Sequence, residues 1–177
     1  EYTNDIIKVL SNSNLFSDVS VKLINNTYII SVVEFPNIDK LKFKNNKRLK
    51  DEELELIASE TNLTNFNQQS IKLFINEIKK IYQSFGYNDV KINYYDNFYE
   101  ETNTVDLTFE INEGKITKIN KININGNNKI LAEEIRDIIN SKTKSISNIF
   151  ANNNFKPATL ERDKYIITEY YKNNGFI

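Results

Sequence analysis

The chain contains no cysteine and no histidine. Without cysteine there is no disulfide, no thiolate nucleophile and no Cys-ligated zinc. Without histidine the commonest general base and metal ligand are missing, and with them every Ser-His or Cys-His pair. Methionine and tryptophan are also absent, glycine is limited to 4 residues and proline to 2. The chain has almost no net charge: 23 basic against 24 acidic residues leave −1. That excludes a nucleic-acid binder driven by bulk positive charge. No apolar run approaches the roughly 18–20 residues of a membrane helix, and nothing reads as a signal peptide. A start at Glu1 in a chain without methionine reads as an internal piece of a longer protein.

What is present suits packed cores. Of the 177 residues, 40% are hydrophobic and 27% charged, a balance that argues against wholesale disorder. Asparagine and isoleucine dominate, and only Arg48, Arg136 and Arg162 are arginine. Because asparagine is everywhere, turn signals rest on Pro36, Gly86, Gly114, Gly126, Pro157 and Gly175.

Self-similarity is the strongest pattern, and it decides the fold. Phe66 to Tyr87 aligns without a gap on Phe155 to Phe176, at an offset of about 89. Both stretches run through an amphipathic helix into Gly and an aromatic. Leu41-Lys42-Phe43-Lys44-Asn45-Asn46 aligns on Ile122-Asn123-Ile124-Asn125-Gly126-Asn127, and Glu52-Glu53-Leu54 on Glu133-Glu134-Ile135. Phe16-Ser17-Asp18-Val19-Ser20-Val21 matches Tyr87-Asn88-Asp89-Val90-Lys91-Ile92. The unit is about 80 residues long, and the chain holds the end of one copy, a second copy and the front of a third.

The complete copy reads as β-α-α-β-β. Ile38, Leu41 and Phe43 mark a first strand. Asn45 and Gly126 take equivalent places in the following turn, and both residue types tolerate a left-handed backbone. Leu54, Ile57 and Ala58 give one helical face, with Asp51, Glu52 and Glu53 at its positive end. Ile71, Phe74, Ile75, Ile78, Ile81, Tyr82 and Phe85 give a second helix, which Gly86 closes. Val90, Ile92 and Tyr94 alternate over residues 89–95. A polar stretch at 96–103 reads as a hairpin loop, and Val105, Leu107, Phe109 and Ile111 alternate again. Two helices must then cover one face of a three-stranded sheet.

The ordered series of motifs carries a resemblance. It runs through Asn14-Leu15-Phe16-Ser17-Asp18-Val19, Val33-Glu34-Phe35-Pro36-Asn37-Ile38, Ile122-Asn123-Ile124-Asn125-Gly126-Asn127 and Tyr170-Tyr171-Lys172-Asn173-Asn174-Gly175-Phe176. Along its whole length the chain resembles the POTRA (polypeptide-transport-associated) domains in the periplasmic arm of the BamA family of outer-membrane β-barrel assembly proteins. The resemblance implies an α+β fold of tandem POTRA domains, each a three-stranded mixed sheet covered by two helices. It implies the end of a first domain at residues 1–35, a complete second at 36–113 and the front of a third at 114–177. Residues 142–156 look like that family's long inter-helix segment.

The same resemblance implies a non-enzymatic scaffold in the periplasm, within an outer-membrane protein whose parent chain carries a C-terminal β-barrel. Its partners would be unfolded outer-membrane β-barrel proteins, bound by β-augmentation, and accessory assembly lipoproteins. No cofactor, metal, nucleic acid or small-molecule substrate is implied. The docking edges would be the second strands of each unit: Asp89, Val90, Lys91, Ile92, Asn93 and Tyr94, and in the first copy Asp18, Val19, Ser20, Val21 and Lys22. The blander reading is of ordinary sheet edges guarded by Lys22 and Lys91. Tyr94, Tyr95, Phe98 and Tyr99 either line a client groove or cap the hairpin. Asp51, Glu52, Glu53 and Glu55 read as a helix start rather than a metal or acid–base pair. Ile146, Ile149 and Phe150 either pack back on the third unit or meet a partner. Alternative homes for such an arm are a TamA-like or two-partner secretion transporter, or an assembly joint in a cell-division protein.

Overall fold

The computed structural model describes residues 2–144 and 151–176. The apolar stretch containing Ile146, Ile149 and Phe150 lies outside them. The chain divides into two compact units, Glu1–Ile78 with Ile92–Asn112, and Lys79–Lys91 with Glu113–Ile177.

In the first unit, helix α1 (Tyr2–Ser11) lies against strand β1 (Phe16–Ile24), which forms an antiparallel hairpin with β2 (Thr27–Glu34). Asn25 and Asn26 make the two-residue turn with φ of 48° and 62°. Two successive positive φ angles match the right-handed twist of a hairpin. Strand β3 (Asn37–Lys44) pairs in parallel with β5 (Thr104–Asn112), and β4 (Lys91–Tyr99) completes the order β3-β5-β4. The sheet is thus three-stranded and mixed, as the repeat implied. Leu41 sits beside Leu107 and Phe43 beside Phe109. Successive strand residues point to opposite faces, so Val105, Leu107, Phe109 and Ile111 share one face, and all are fully buried. Leu54, Ile57 and Ala58 of α2 (Asp51–Glu60) and Ile71, Phe74 and Ile78 of α3 (Gln68–Phe85) are buried with them. Phe74 meets Phe109 edge-on at 4.9 Å and Phe43 at 6.3 Å, an arrangement that favours aromatic packing beyond area alone.

Local chemistry explains the element ends. Asn45 and Gly126 adopt φ of 65° and 81°, the shared left-handed turn the two copies call for. Helix α2 starts where the Lys50 N–H donates to Glu53 Oε2 at 2.8 Å, and its first-turn acids complement the helix dipole. Gly86, at φ 99°, closes α3, and the Tyr87 N–H returns to the Tyr82 carbonyl at 3.0 Å.

Two boundaries differ from the expectation. Strand β4 begins at Lys91, so Asp89 and Val90 precede it. The Asp89 carbonyl faces Gly114, where an added Cβ would stand 3.5 Å away, and Val90 is buried. Both are committed to the turn. At its other end β4 continues through residues 96–99, the first half of the stretch whose polarity predicts a hairpin loop. Asp96 and Asn97 interrupt the apolar alternation, yet polar residues suit a strand exposed to water. The turn shrinks to one 3-10 turn, Glu100–Thr102, closed by Asn103 at φ 49°.

In the second unit, α4 (Ala132–Ile138) and α5 (Pro157–Asn173) follow the repeat. Pro157 sits in the first helical turn, where its missing N–H costs nothing. Ile130, Ile135 and Ile139 form the core, flanked by Ile122, Ile124, Ile167, Tyr170 and Tyr171. The repeat predicts a strand around Ile122 and Ile124. Among the described residues no strand ladder forms there: the neighbourhood has isolated bridges, Tyr87 with Ile116 and Lys118 with Asn154. The equivalent β3 takes its ladder from β5, and no counterpart of β5 follows α5 among the described residues. A groove of ≈ 1160 Å³ lies along Ile119, Ile122, Ile124, Leu160 and Ile167.

One joint occurs twice, once inside each unit. In the first, Asn65 Nδ2 donates to the Asn14 carbonyl at 2.8 Å, Phe66 N–H to Pro36 and Ile38 N–H to Thr64. In the second, Asn154 Nδ2 donates to the Phe85 carbonyl at 3.2 Å, Phe155 N–H to Thr117 and Ile119 N–H to Asn153. The bridges Asn37 with Asn65 and Lys118 with Asn154 also correspond. Each joint ties the end of one repeat's long helix to the entry of the next repeat.

Candidate docking edges

Whether a strand can accept another chain depends on an open row of N–H and C=O groups. In the order β3-β5-β4 the central place belongs to β5, and β4 is an edge. Of the expected docking residues, Lys91, Ile92, Asn93 and Tyr94 lie on this nine-residue strand. Lys91 and Asn93 are exposed, while Ile92 and Tyr94 are half-buried. Tyr94 packs on Phe109 at 6.0 Å, so the strand is anchored by one face. Asp89 and Val90 stand outside the edge for the reasons given above.

In the first copy, Asp18, Val19, Ser20, Val21 and Lys22 all lie on β1, opposite Val33, Val32, Ser31, Ile30 and Ile29 of β2. On its other side β1 pairs with no strand among the described residues. Its alternation is weak, with Val19, Ser20 and Val21 all half-buried. A register shift between Phe16 and Asp18 bends its start. A bulge blunts an edge, whereas β1 and β4 are equally long, nine residues each, and each carries one guarding lysine, Lys22 or Lys91.

The aromatic group divides. Tyr94 is half-buried and packs on the core through Phe109, whereas Tyr95, Phe98 and Tyr99 are exposed. Tyr95 Oη donates to Glu110 Oε2 at 3.3 Å, and Asn97 Nδ2 donates to Tyr99 Oη at 2.7 Å. Phe98 alternates to the other side, while Tyr95 and Tyr99 lie on the sheet face that the helices leave open. Lys42 and Asp106 lie there too, with Nζ 3.5 Å from Oδ2.

Two acids escaped the sequence reading. Asp106 is 8% exposed in the centre of the sheet. Asp163 on α5 is 3% exposed. Its Oδ1 accepts the Asn140 N–H at 2.6 Å and Asn140 Nδ2 at 3.1 Å, and its Oδ2 accepts the Ser141 N–H at 2.9 Å. Burial pushes this carboxyl up, but the hydrogen bonds from Ser141 and Asn140 outweigh it and hold the group below its ordinary range. The repeat contained a signal, because Asp163 takes the place of Phe74. Asp51, Glu52 and Glu53 serve the start of α2. Among the described residues no group of three or more acidic side chains could hold a metal ion, and no helix is long and apolar enough to cross a membrane.

The comparisons agree with this architecture. A family model described as POTRA, surface antigen variable number repeat, matches residues 36–114 and 117–177. The outer membrane protein assembly factor BamA of Neorickettsia risticii is 26% identical over 174 residues, covering 98% of this chain and 23% of its own length. That of Neisseria meningitidis serogroup B is 25% identical, covering 97% of this chain and 22% of its own length. The chain therefore spans less than a quarter of the length of these two relatives. Among solved structures, Haemophilus influenzae BamA POTRA3-5 aligns with a TM-score of 0.55 and 14% identity, over 94% of this chain and 68% of that one. Haemophilus ducreyi BamA lacking POTRA domains 1–3 aligns at 0.53 with 20% identity, over 74% and 23%. At such identities the structures speak for the fold alone, while the family model spans most of the sequence, and by that match the chain belongs to the POTRA family.

Proposed function

We propose that this chain is a docking segment of the periplasmic arm of an outer-membrane protein assembly factor. It receives unfolded outer-membrane β-barrel proteins as extended strands and gives accessory lipoproteins a platform. Its parent chain carries a membrane β-barrel. Its POTRA domains divide at residues 1–35, 36–113 and 114–177, near the limits of the family matches. The observation that carries the reading is the position of β4, an edge strand of nine residues held to the core by Ile92 and Tyr94. Strand addition uses main-chain hydrogen bonds, which every client offers whatever its sequence. The work is binding, and it calls on no cofactor. The names of the relatives, all assembly factors, support the same role.

A proline scan of β4 tests this reading. N–H groups of successive strand residues point to opposite sides. Proline at one of the two alternating sets, 91 and 93 or 92 and 94, removes donors that serve β5 and unfolds the sheet. At the other set it removes only open-edge donors. That second set should keep its circular dichroism and lose affinity for an extended barrel-derived peptide. Full affinity at every folded proline variant would reject β4 as the docking edge.

A further inference from the structure

The open face of the three-stranded sheet carries a small pocket of ≈ 210 Å³, walled by Tyr95, Asn97, Tyr99 and Asp106. Asp106 forms its floor from the central strand. Its Oδ2 faces Lys42 Nζ at 3.5 Å, but its Oδ1 is buried and has no hydrogen-bond partner among the described residues. A buried carboxylate oxygen without a donor is costly, on the order of 1–3 kcal/mol. Asp106 lines the cavity, so a side-chain turn would bring such an oxygen to a donor from outside.

We infer that this pocket takes the guanidinium of an arginine side chain from a bound polypeptide. Three features select that group. The unpartnered acceptor is anionic, and Asp96 at the rim adds a second negative charge, against the single cation Lys42. Two walls are tyrosine rings, on which a flat, weakly hydrated guanidinium stacks better than an ammonium. Lys42 already offers an ammonium to Oδ2 and leaves Oδ1 unserved, so the gap calls for a fork that donates to Oδ1 while lying against a ring. Access is the fourth consideration. A strand added along β4 projects alternate side chains over this same face, and an arginine stem reaches inward from there. This step rests on the strand-addition reading above, and names the side chain that edge selects.

The test uses the whole 177-residue chain. Nα-acetyl-arginine methylamide is titrated while backbone amide shifts are followed, with the citrulline analogue as a neutral control of equal shape. Shifts at Tyr95, Asn97, Tyr99 and Asp106 with the arginine compound alone, lost in Asp106→Asn, are expected. No shift at these residues, or equal shifts with citrulline, overturns the assignment and leaves water as the partner of Oδ1. Next, an extended barrel-derived peptide is compared with its Arg→citrulline version. The arginine peptide should bind about tenfold tighter, as a charge-assisted hydrogen bond implies, and Asp106→Asn should erase the difference. Because the citrulline change is made in the ligand, it stays informative if the variant fails to fold. Equal binding of both peptides would reject the pocket and keep strand addition. Binding of the methylamide but of neither peptide would reject strand addition and keep the pocket's preference for a guanidinium.

Discussion

Asp163 shows how one residue redirects a repeat. In the middle copy its place belongs to Phe74, the centre of an aromatic core. The Ser59 and Glu60 positions there lie inside α2, whereas their counterparts Asn140 and Ser141 lie beyond the end of α4. The two amides thereby lose helical acceptors, and the Asp163 carboxylate replaces them. Asp163→Asn should cost roughly 1–3 kcal/mol at neutral pH, read by urea unfolding. The folded carboxyl is held below its unfolded range. Its stabilisation is therefore full above the unfolded pKa and is lost as pH falls through the folded one, a decline that sets in below about pH 4. That acid slope should vanish in Asp163→Asn. Glycines give a second contrast. At Gly86 a Cβ would stand 3.0 Å from Asn154 Cβ and 3.1 Å from Ile116 Cγ2, while at Gly175 it meets nothing. Both have positive φ, so Gly175→Ala should cost about 1 kcal/mol of backbone strain, and Gly86→Ala clearly more. The shared turn of Asn45 and Gly126 could be read from the sequence because it depends on one residue's φ. The partners of Asp106 and Asp163 could not, because they come from distant elements.

Among the elements, those with a long apolar period were readable. Ile71, Phe74, Ile78 and Tyr82 of the α3 stripe and the alternating residues of β5 end up buried, because their periods match the geometry that buries them. Phe74→Ala should therefore cost about 3–5 kcal/mol in chemical denaturation. The far half of β4 was unreadable for the complementary reason: an edge strand facing water needs no apolar period. The missing ladder near Ile122 and Ile124 has another cause. A strand exists only through a partner, and periodicity reports burial rather than pairing. The joints were equally hidden, since they are mostly backbone bonds. The equivalent Asn65 and Asn154 each contribute a side chain. Each is replaceable by alanine at a cost of about 1–2 kcal/mol, with local amide exchange rising at residues 14–15 or 85–86 respectively.

At the scale of the molecule, the middle repeat has its sheet and both helices, whereas the third has helices over an open groove. Helical stability comes mainly from packing an apolar face. Hydrogen exchange should thus show α2 and α3 protected well beyond α4 and α5. Equal protection would mean that Ile130, Ile135 and Ile139 suffice as a core. The fold class and the repeat were legible because they recur along the chain.

The twofold recurrence of the joint bears on ancestry. Its acceptors, the Asn14 and Phe85 carbonyls, lie at the end of one repeat's long helix, and its donors, the Asn65 and Asn154 side chains, belong to the next repeat. Each complete repeat therefore carries one half of two joints. A gene duplication that copies such a block also copies a working connection at both ends, with no compensating substitutions. Arms of different length can arise by whole-block gain or loss, while a deletion ending inside a block would leave a joint with one half.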